Sequence, residues 1–266
     1  MIIVAGGDSF IWGSELADSL HCGKGGHSGK TFTAILAKDY EYQCAAYPGN
    51  GNDSIARMTM IACEKNKNKK QAVIVSWTFP GRYEFKIQTK QGFRWEVINS
   101  WSVGKQYTET DDIDKNTLVQ EFKNKSELLG ITKFAESYFA NVGFLEYWEI
   151  YSSLKEIVFL QNYLEANHIP YIFTCADNVL FNNWTISNPD DTISTLYNQI
   201  KFNHWYMFPV GTNANETIKP RGFYQWAVEN KYRIGDTHPL EDAHRDAAKL
   251  IKEKFNELVT KSLQSN

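Results

Sequence analysis

The chain has 266 residues, of which 42% are hydrophobic and 14% aromatic, enough apolar surface for one sizeable core. The formal net charge is −3, from 28 basic and 31 acidic residues, and this near balance predicts no binding to nucleic acid or to an anionic membrane. No apolar stretch approaches the ~20 residues of a membrane span, and the apolar run that begins at Ile2 leaves no room for a signal peptide. We therefore expect a cytoplasmic protein without a membrane span.

The first 77 residues alternate between strand-like and helix-like segments. Apolar runs typical of strands lie at residues 2–5, 41–46 and 72–77, and helical patterns lie at 28–38 and from Asn52 onward. Strands that alternate with helices predict a parallel sheet with helices on both faces. In such sheets, ligands bind beyond the carboxyl ends of the strands.

The middle of the chain interrupts this alternation. Residues 83–87 and 93–98 alternate around a glycine, which predicts a β-hairpin, and we interpret 82 to about 130 as an insertion at the rim of the sheet. The elements predicted after it are a helix or helix pair over 133–167, a strand over 169–175, a helix over 191–202, a loop over 209–222 and an amphipathic closing helix over 240–263. A single domain of residues 1–266 accounts for all of them.

The cysteines favour neither a metal site nor a disulfide framework. Cys22, Cys44, Cys63 and Cys175 form no Cys-x-x-Cys pair. They are more typical of small buried apolar residues in a reducing compartment. We expect no metal ion and no other cofactor.

A serine and a histidine stand at opposite ends of the chain in settings that favour catalysis. Ser9 directly follows the first strand, in Gly-Gly-Asp-Ser-Phe, and His238 follows Asp236 just before the closing helix. A histidine with a carboxylate close by can take the proton of a serine and then return it. The alternatives are a simple turn at the serine and a helix cap at the histidine, with His244 as a fallback base.

The Gly-Asp-Ser-Phe segment resembles the first motif of the SGNH, or GDSL, hydrolase family. Residues 45–49 resemble the segment that carries the oxyanion-hole glycine of that family, and 236–238 resemble its terminal Asp and His. The resemblance implies an α/β fold, a three-layer α/β/α flavodoxin-like parallel sheet that spans essentially the whole chain. It also implies that Ser9 is the nucleophile, that His238 is the general base and acid, and that Asp236 orients the imidazole. The backbone amides of Ser9 and Gly49 would then stabilise the oxyanion.

The chain departs from the family at a third motif. The family usually has Gly-x-Asn-Asp after its third strand, with the Asn as an oxyanion donor, whereas residues 76–82 contain no Asn. A replacement donor is expected from Asn50, Asn52 or the Thr78 hydroxyl, and we favour Asn52. Thr78 and Arg82 are also candidates for contacts with the substrate. This version of the motif resembles family members from phages and from bacterial surface-polysaccharide loci.

These observations leave several functions open. The first is a serine ester hydrolase, an esterase or carbohydrate O-deacetylase, which acts through an acyl-serine on a small-molecule or carbohydrate ester. An O-acyltransferase would use the same intermediate. A binding protein on the same fold without catalytic activity is the alternative that the missing Asn favours. A nucleotide-binding protein that uses Lys30 is the weakest candidate, because the glycine spacing of a P-loop is absent before it.

Overall fold

A computed structural model describes residues 1–19, 26–89, 92–99, 125–209 and 221–264. The strands are β1 (Ile2–Gly6), β2 (Glu41–Cys44), β3 (Gln71–Trp77), β4 (Arg82–Thr89), β5 (Gly92–Asn99) and β6 (Tyr171–Cys175). The helices are α1 (Ser9–Trp12), α2 (Phe32–Leu36), α3 (Asn52–Lys65), α4 (Lys125–Tyr138), a π-helical turn (Phe139–Gly143), α5 (Glu146–Ala166), α6 (Val179–Asn182), α7 (Trp184–Ser187), α8 (Asp191–Asn198), a 3₁₀ turn (Phe202–His204), α9 (Phe223–Glu229) and α10 (Glu241–Gln264). Within these ranges no helix is both long and apolar enough to cross a membrane.

Four parallel strands form the central sheet in the order β2-β1-β3-β6. Their registers place the carboxyl ends of all four at one edge, because Ala5 pairs with both Cys44 and Ile74, and Trp77 pairs with Cys175. The segments that follow β1, β2, β3 and β6 therefore meet at this edge, where ligands of such sheets bind.

Helices cover both faces of the sheet, and this confirms the predicted three-layer α/β/α fold. Successive side chains of a strand point to opposite faces. Ile3 and Ile74 accordingly belong to a buried cluster with α2, α9 and α10, whereas Val4 and Val75 belong to a second cluster with α3 and α5. The apolar runs of β1 and β3 are buried at every position, as expected for strands covered on both sides.

The predicted hairpin is confirmed as β4 and β5, an antiparallel pair in which Arg82 lies opposite Asn99. Its inner face presents Tyr83 and Ile98 to Ala135 of α4 and to the π-helical turn, and together these side chains form a third buried cluster. The first residue of the hairpin therefore lies at the rim of the sheet, directly after the turn that follows β3. The segment 100–124, which includes most of the predicted insertion loop, lies outside the described residues, and so does most of the loop predicted at 209–222.

Several predicted helices differ in length from those in the structure. The helix predicted at 28–38 is shortened to α2, because the Thr31 side chain accepts a hydrogen bond from the Ala34 amide and caps it there. The segment 133–167 is a pair of helices interrupted by the π-helical turn and an extended residue, Leu145. Ile61 of α3 and Leu250 of α10 are apolar side chains that remain exposed.

Candidate active site

The end of β1 holds Ser9 in a fixed position at the rim of the sheet. Asp8 caps α1, since its carboxylate accepts a hydrogen bond from the Phe10 amide at 3.0 Å. Gly7 is required by close packing, because a Cβ there would lie 2.4 Å from a side-chain carbon of Ile11. Ser9 is therefore the first residue of a short helix whose start is anchored by a strand, a cap and a tight contact.

The structure brings His238 to Ser9 from the other end of the chain. Nε2 of His238 lies 2.7 Å from the Ser9 hydroxyl oxygen. A tight turn precedes the histidine, in which the Gly235 amide donates to the His238 carbonyl at 2.8 Å, and the ring of Phe10 packs 4.8 Å from the imidazole. The turn and the aromatic contact hold the imidazole against the hydroxyl.

The acid beside His238 is Glu15, and the expectation that Asp236 takes this place is corrected. Nδ1 of His238 lies 2.6 Å from a carboxylate oxygen of Glu15, and the hydroxyl of Thr237 donates to the same oxygen at 2.8 Å. Asp236 is exposed, and its carboxylate makes no hydrogen bond within the described part of the chain. The physical reason is competition for one nitrogen: Nδ1 of His238 is engaged by the Glu15 carboxylate, while Asp236 stays exposed at the cleft.

The backbone conformation of Glu15 and the space beside Gly235 place the Glu15 carboxylate against His238. Glu15 adopts a left-handed backbone conformation with φ of 69°, which is uncommon for a residue with a side chain and is often found at functional sites. A Cβ on Gly235 would lie 2.1 Å from the Glu15 carboxylate, so a larger residue there would displace the carboxylate from this position. Sequence analysis missed Glu15 because only tertiary folding brings it to the histidine. The one sequence signal is the single residue between Asp236 and His238, since the SGNH hydrolases that this segment resembles often have two.

The electrostatics of the three groups favour proton transfer from Ser9 to His238. Burial on its own would raise the pKa of Glu15, but hydrogen bonds from His238 and Thr237 lower it below its ordinary value, so the carboxylate stays ionised. An ionised carboxylate can only accept, so Nδ1 of His238 carries the proton in this hydrogen bond. In the neutral ring Nε2 is then an acceptor, and the Ser9 hydroxyl donates to it.

Two backbone amides beside Ser9 are available for a developing negative charge. Among the described residues, neither the Ser9 N–H nor the Gly49 N–H donates a hydrogen bond. Gly49 has a φ of +84°, a left-handed conformation that favours glycine, and both residues line the same cleft. Unpaired N–H groups beside a nucleophile are the arrangement that stabilises an oxyanion.

The side-chain donors expected beside them are used elsewhere. The Asn52 amide nitrogen donates to the Thr78 carbonyl and the Ser153 hydroxyl, and its oxygen accepts from the Thr78 amide, so this buried side chain joins α3 to the end of β3. The Asn50 amide nitrogen donates to the Gly7 carbonyl at 3.1 Å. The Asn52 side chain, expected as an oxyanion donor, therefore has its amide hydrogens engaged within the protein.

Thr78 and Arg82, the two residues expected to contact a substrate, differ in their position relative to the cleft. Thr78 is buried, donates its hydroxyl to Asp8 and is not among the described residues that line the cleft. Arg82 lines the cleft, and its side chain is 12% exposed. Nη1 of Arg82 donates to the Asp8 carboxylate at 3.0 Å, to the Thr78 hydroxyl at 3.2 Å and to the Asn50 carbonyl at 3.3 Å.

The cleft at the rim of the sheet has a volume of ≈ 1010 Å³. It is lined by aromatic rings and by planar polar side chains; these are Phe10, Phe79, Tyr224, Arg82, Asn99 and Asp177. Burial raises the pKa of Asp177, and hydrogen bonds from the Val179 amide and from Gln225 act in the opposite direction. A few oriented polar groups among aromatic faces are typical of small-molecule sites.

His244, the fallback base, is fully enclosed in the protein. Its ring stacks on Phe32 at 5.9 Å, and its Nδ1 accepts a hydrogen bond from the Phe32 amide. Burial, and then the charge of His238, lower the pKa of His244 to about 3, so it remains neutral. No group of three or more His, Cys, Asp or Glu side chains in the described residues is arranged to hold a metal ion.

No protein-family model matches the sequence, and no curated protein matches it. Among solved structures, the chain is similar to the psychrotrophic esterase EstA from Pseudoalteromonas sp., in a crystal structure inhibited by monoethylphosphonate. The two chains are 11% identical, the similarity covers 99% of each, and the TM-score is 0.43. At this level of similarity no activity carries over from one protein to the other.

Proposed function

We propose that the protein is a serine ester hydrolase that works through an acyl-serine intermediate. The observation that carries the proposal is the hydrogen-bonded series Glu15–His238–Ser9, with 2.6 Å and 2.7 Å between its polar atoms, at the wall of a large cleft. A nucleophile, a base and an acid in this mutual geometry are the parts that acyl transfer requires.

The reaction follows from the roles of these atoms. The Ser9 oxygen attacks the ester carbonyl carbon, and His238 Nε2 takes the hydroxyl proton while Glu15 stabilises the imidazolium. The carbonyl oxygen becomes an oxyanion, which accepts hydrogen bonds from the Ser9 and Gly49 amides. The intermediate then expels the alcohol, which takes the proton from His238. Water repeats the sequence on the acyl-serine and releases the acid and free Ser9.

The lining of the cleft favours an ester of a carbohydrate as the substrate. Phe79 and Tyr224 offer aromatic faces, and Asp177 offers carboxylate oxygens within the same cleft. A sugar can use both features, because an aromatic ring covers the apolar face of the sugar ring and a carboxylate accepts hydrogen bonds from the sugar hydroxyls. O-acetyl groups on sugars are accordingly the esters that we expect the protein to cleave.

A fluorophosphonate probe and a panel of esters test the proposal. The wild-type protein should be labelled, Ser9→Ala should not, and His238→Ala should lose turnover about as completely as Ser9→Ala. Acetylated sugars and short-chain nitrophenyl esters should be hydrolysed faster than long-chain esters. Absence of labelling and of turnover in a folded wild-type protein would instead identify a binding protein without catalytic activity.

A further inference from the structure

Arg82 is placed in the cleft by more interactions than an exposed loop arginine would have. Its Nη1 is held by the Asp8 carboxylate, the Thr78 hydroxyl and the Asn50 carbonyl, and its guanidinium lies 5.0 Å from the centre of the Phe79 ring. The Asp8 side chain is completely buried and therefore already fixed in one position. The charge-assisted hydrogen bond from Arg82 to Asp8 consequently holds the planar guanidinium in one orientation.

The same interactions tie Arg82 to both segments that carry the free amides. Asp8 directly precedes Ser9 in the chain, and Asn50 directly follows Gly49. Nη1 therefore bridges the two segments whose N–H groups are unpaired among the described residues. Of the cleft-lining residues in the described part of the chain, Arg82 is the one that carries a permanent positive charge.

The described residues engage only one edge of the Arg82 guanidinium. Within the described residues, Nε and Nη2 of Arg82 donate no hydrogen bond, although the side chain lines the cleft. The side-chain amides of the two nearby asparagines are engaged: Asn52 with Thr78 and Ser153, and Asn50 with Gly7. A planar cation with one edge clamped and the other free, beside a nucleophile, can receive negative charge without reorganisation.

We infer that Arg82 is the third donor of the oxyanion hole, with its free edge directed to the oxygen on which charge develops. The inference rests on the proposed function. A residue that donates to the oxyanion acts in the transition state, so its loss lowers kcat and leaves KM nearly unchanged. A residue that anchors an anionic substrate would do the reverse, because it contributes equally to the ground state.

Arg82→Gln and Arg82→Lys test the inference on a short-chain ester and on the fluorophosphonate probe. Arg82→Gln should lower kcat and the labelling rate by ~100- to 1,000-fold with KM within about 3-fold, which is typical for one oxyanion donor. Arg82→Lys keeps the ion pair with Asp8 but has no second edge, so kcat should fall by at least ~10-fold. If Arg82→Gln does not fold, Arg82→Lys decides.

Arg57→Gln is the matched control. Like Arg82, Arg57 forms an ion pair with a carboxylate, that of Glu84 in β4, but Arg57 lies outside the cleft. Its loss should leave kcat and KM within about 2-fold. An equal loss in Arg57→Gln would make the role of Arg82 structural, and a rise in KM at constant kcat would make it a substrate anchor. Either result overturns the inference while labelling of the wild type upholds the hydrolase. An unlabelled wild type overturns both.

Discussion

Replacing Glu15 by glutamine tests which acid assists His238. Glu15→Gln keeps the size of the side chain but removes its charge, and its amide group can donate to Nδ1 and so favour the wrong tautomer. The matched variant is Asp236→Asn, which makes the same change at the residue that the sequence favours. Both variants replace a carboxylate by an amide, at Glu15, which is close to His238 in space, and at Asp236, which is close to His238 in sequence. Comparing them therefore shows which of the two acids assists the histidine.

The structure sets the size of the expected effect. The Glu15 and His238 side chains are 23% and 13% exposed, and their hydrogen-bonded atoms lie 2.6 Å apart. With charge centres about 4 Å apart and an effective dielectric constant near 20, the imidazolium is stabilised by about 4 kcal/mol. Because about 1.4 kcal/mol corresponds to a factor of ten in rate, kcat should fall about 1,000-fold. The tautomer effect can bring the loss to about 10,000-fold.

The assay is steady-state hydrolysis of a short-chain nitrophenyl ester, with thermal unfolding as the check that both variants fold. Glu15→Gln should lose kcat with KM within about 3-fold, and Asp236→Asn should remain within about 3-fold of the wild type in both constants. The reasoning is refuted if Asp236→Asn loses activity by three orders of magnitude, or if a folded Glu15→Gln stays within 10-fold of the wild type.

Two further predictions concern stability. Burial raises the pKa of Asp53 to about 6, although two backbone amides donate to its carboxylate. Because the folded state then binds this proton more tightly than the unfolded state, the free energy of unfolding should fall as pH rises from about 4 to 6, by at most about 1.4 kcal/mol per pH unit. Asp53→Asn should flatten this dependence in urea titrations, and an unchanged slope would exclude Asp53 as its source. Phe173 is fully buried, so Phe173→Ala should lower the free energy of unfolding by about 3–5 kcal/mol. Phe159 is exposed, so Phe159→Ala should change the free energy of unfolding by less than about 0.5 kcal/mol. Equal effects of the two substitutions would contradict the described core.

The architecture was predictable because its signals are local. The apolar runs of β1 and β3 and the amphipathic pattern of α10 follow from burial of the strands on both faces and of the helix on one, and neighbouring residues suffice to reveal them. The order of strands and helices then restricted the fold to a parallel sheet with its ligand edge at the carboxyl ends. Ser9 and His238 were selected by their positions relative to these elements, and their catalytic roles stay a prediction.

The partners of those two residues were decided only by the tertiary structure. Glu15 reaches His238 across 223 positions of sequence, through a left-handed backbone and the space left by a glycine, and no local pattern encodes such a contact. The hydrogen bonds of the Asn52 amide likewise depend on the tertiary structure, because they come from Thr78, directly after β3, and from Ser153 of α5. A sequence determines which residue types stand near an element, whereas the direction of a side chain depends on which distant groups compete for its hydrogen bonds.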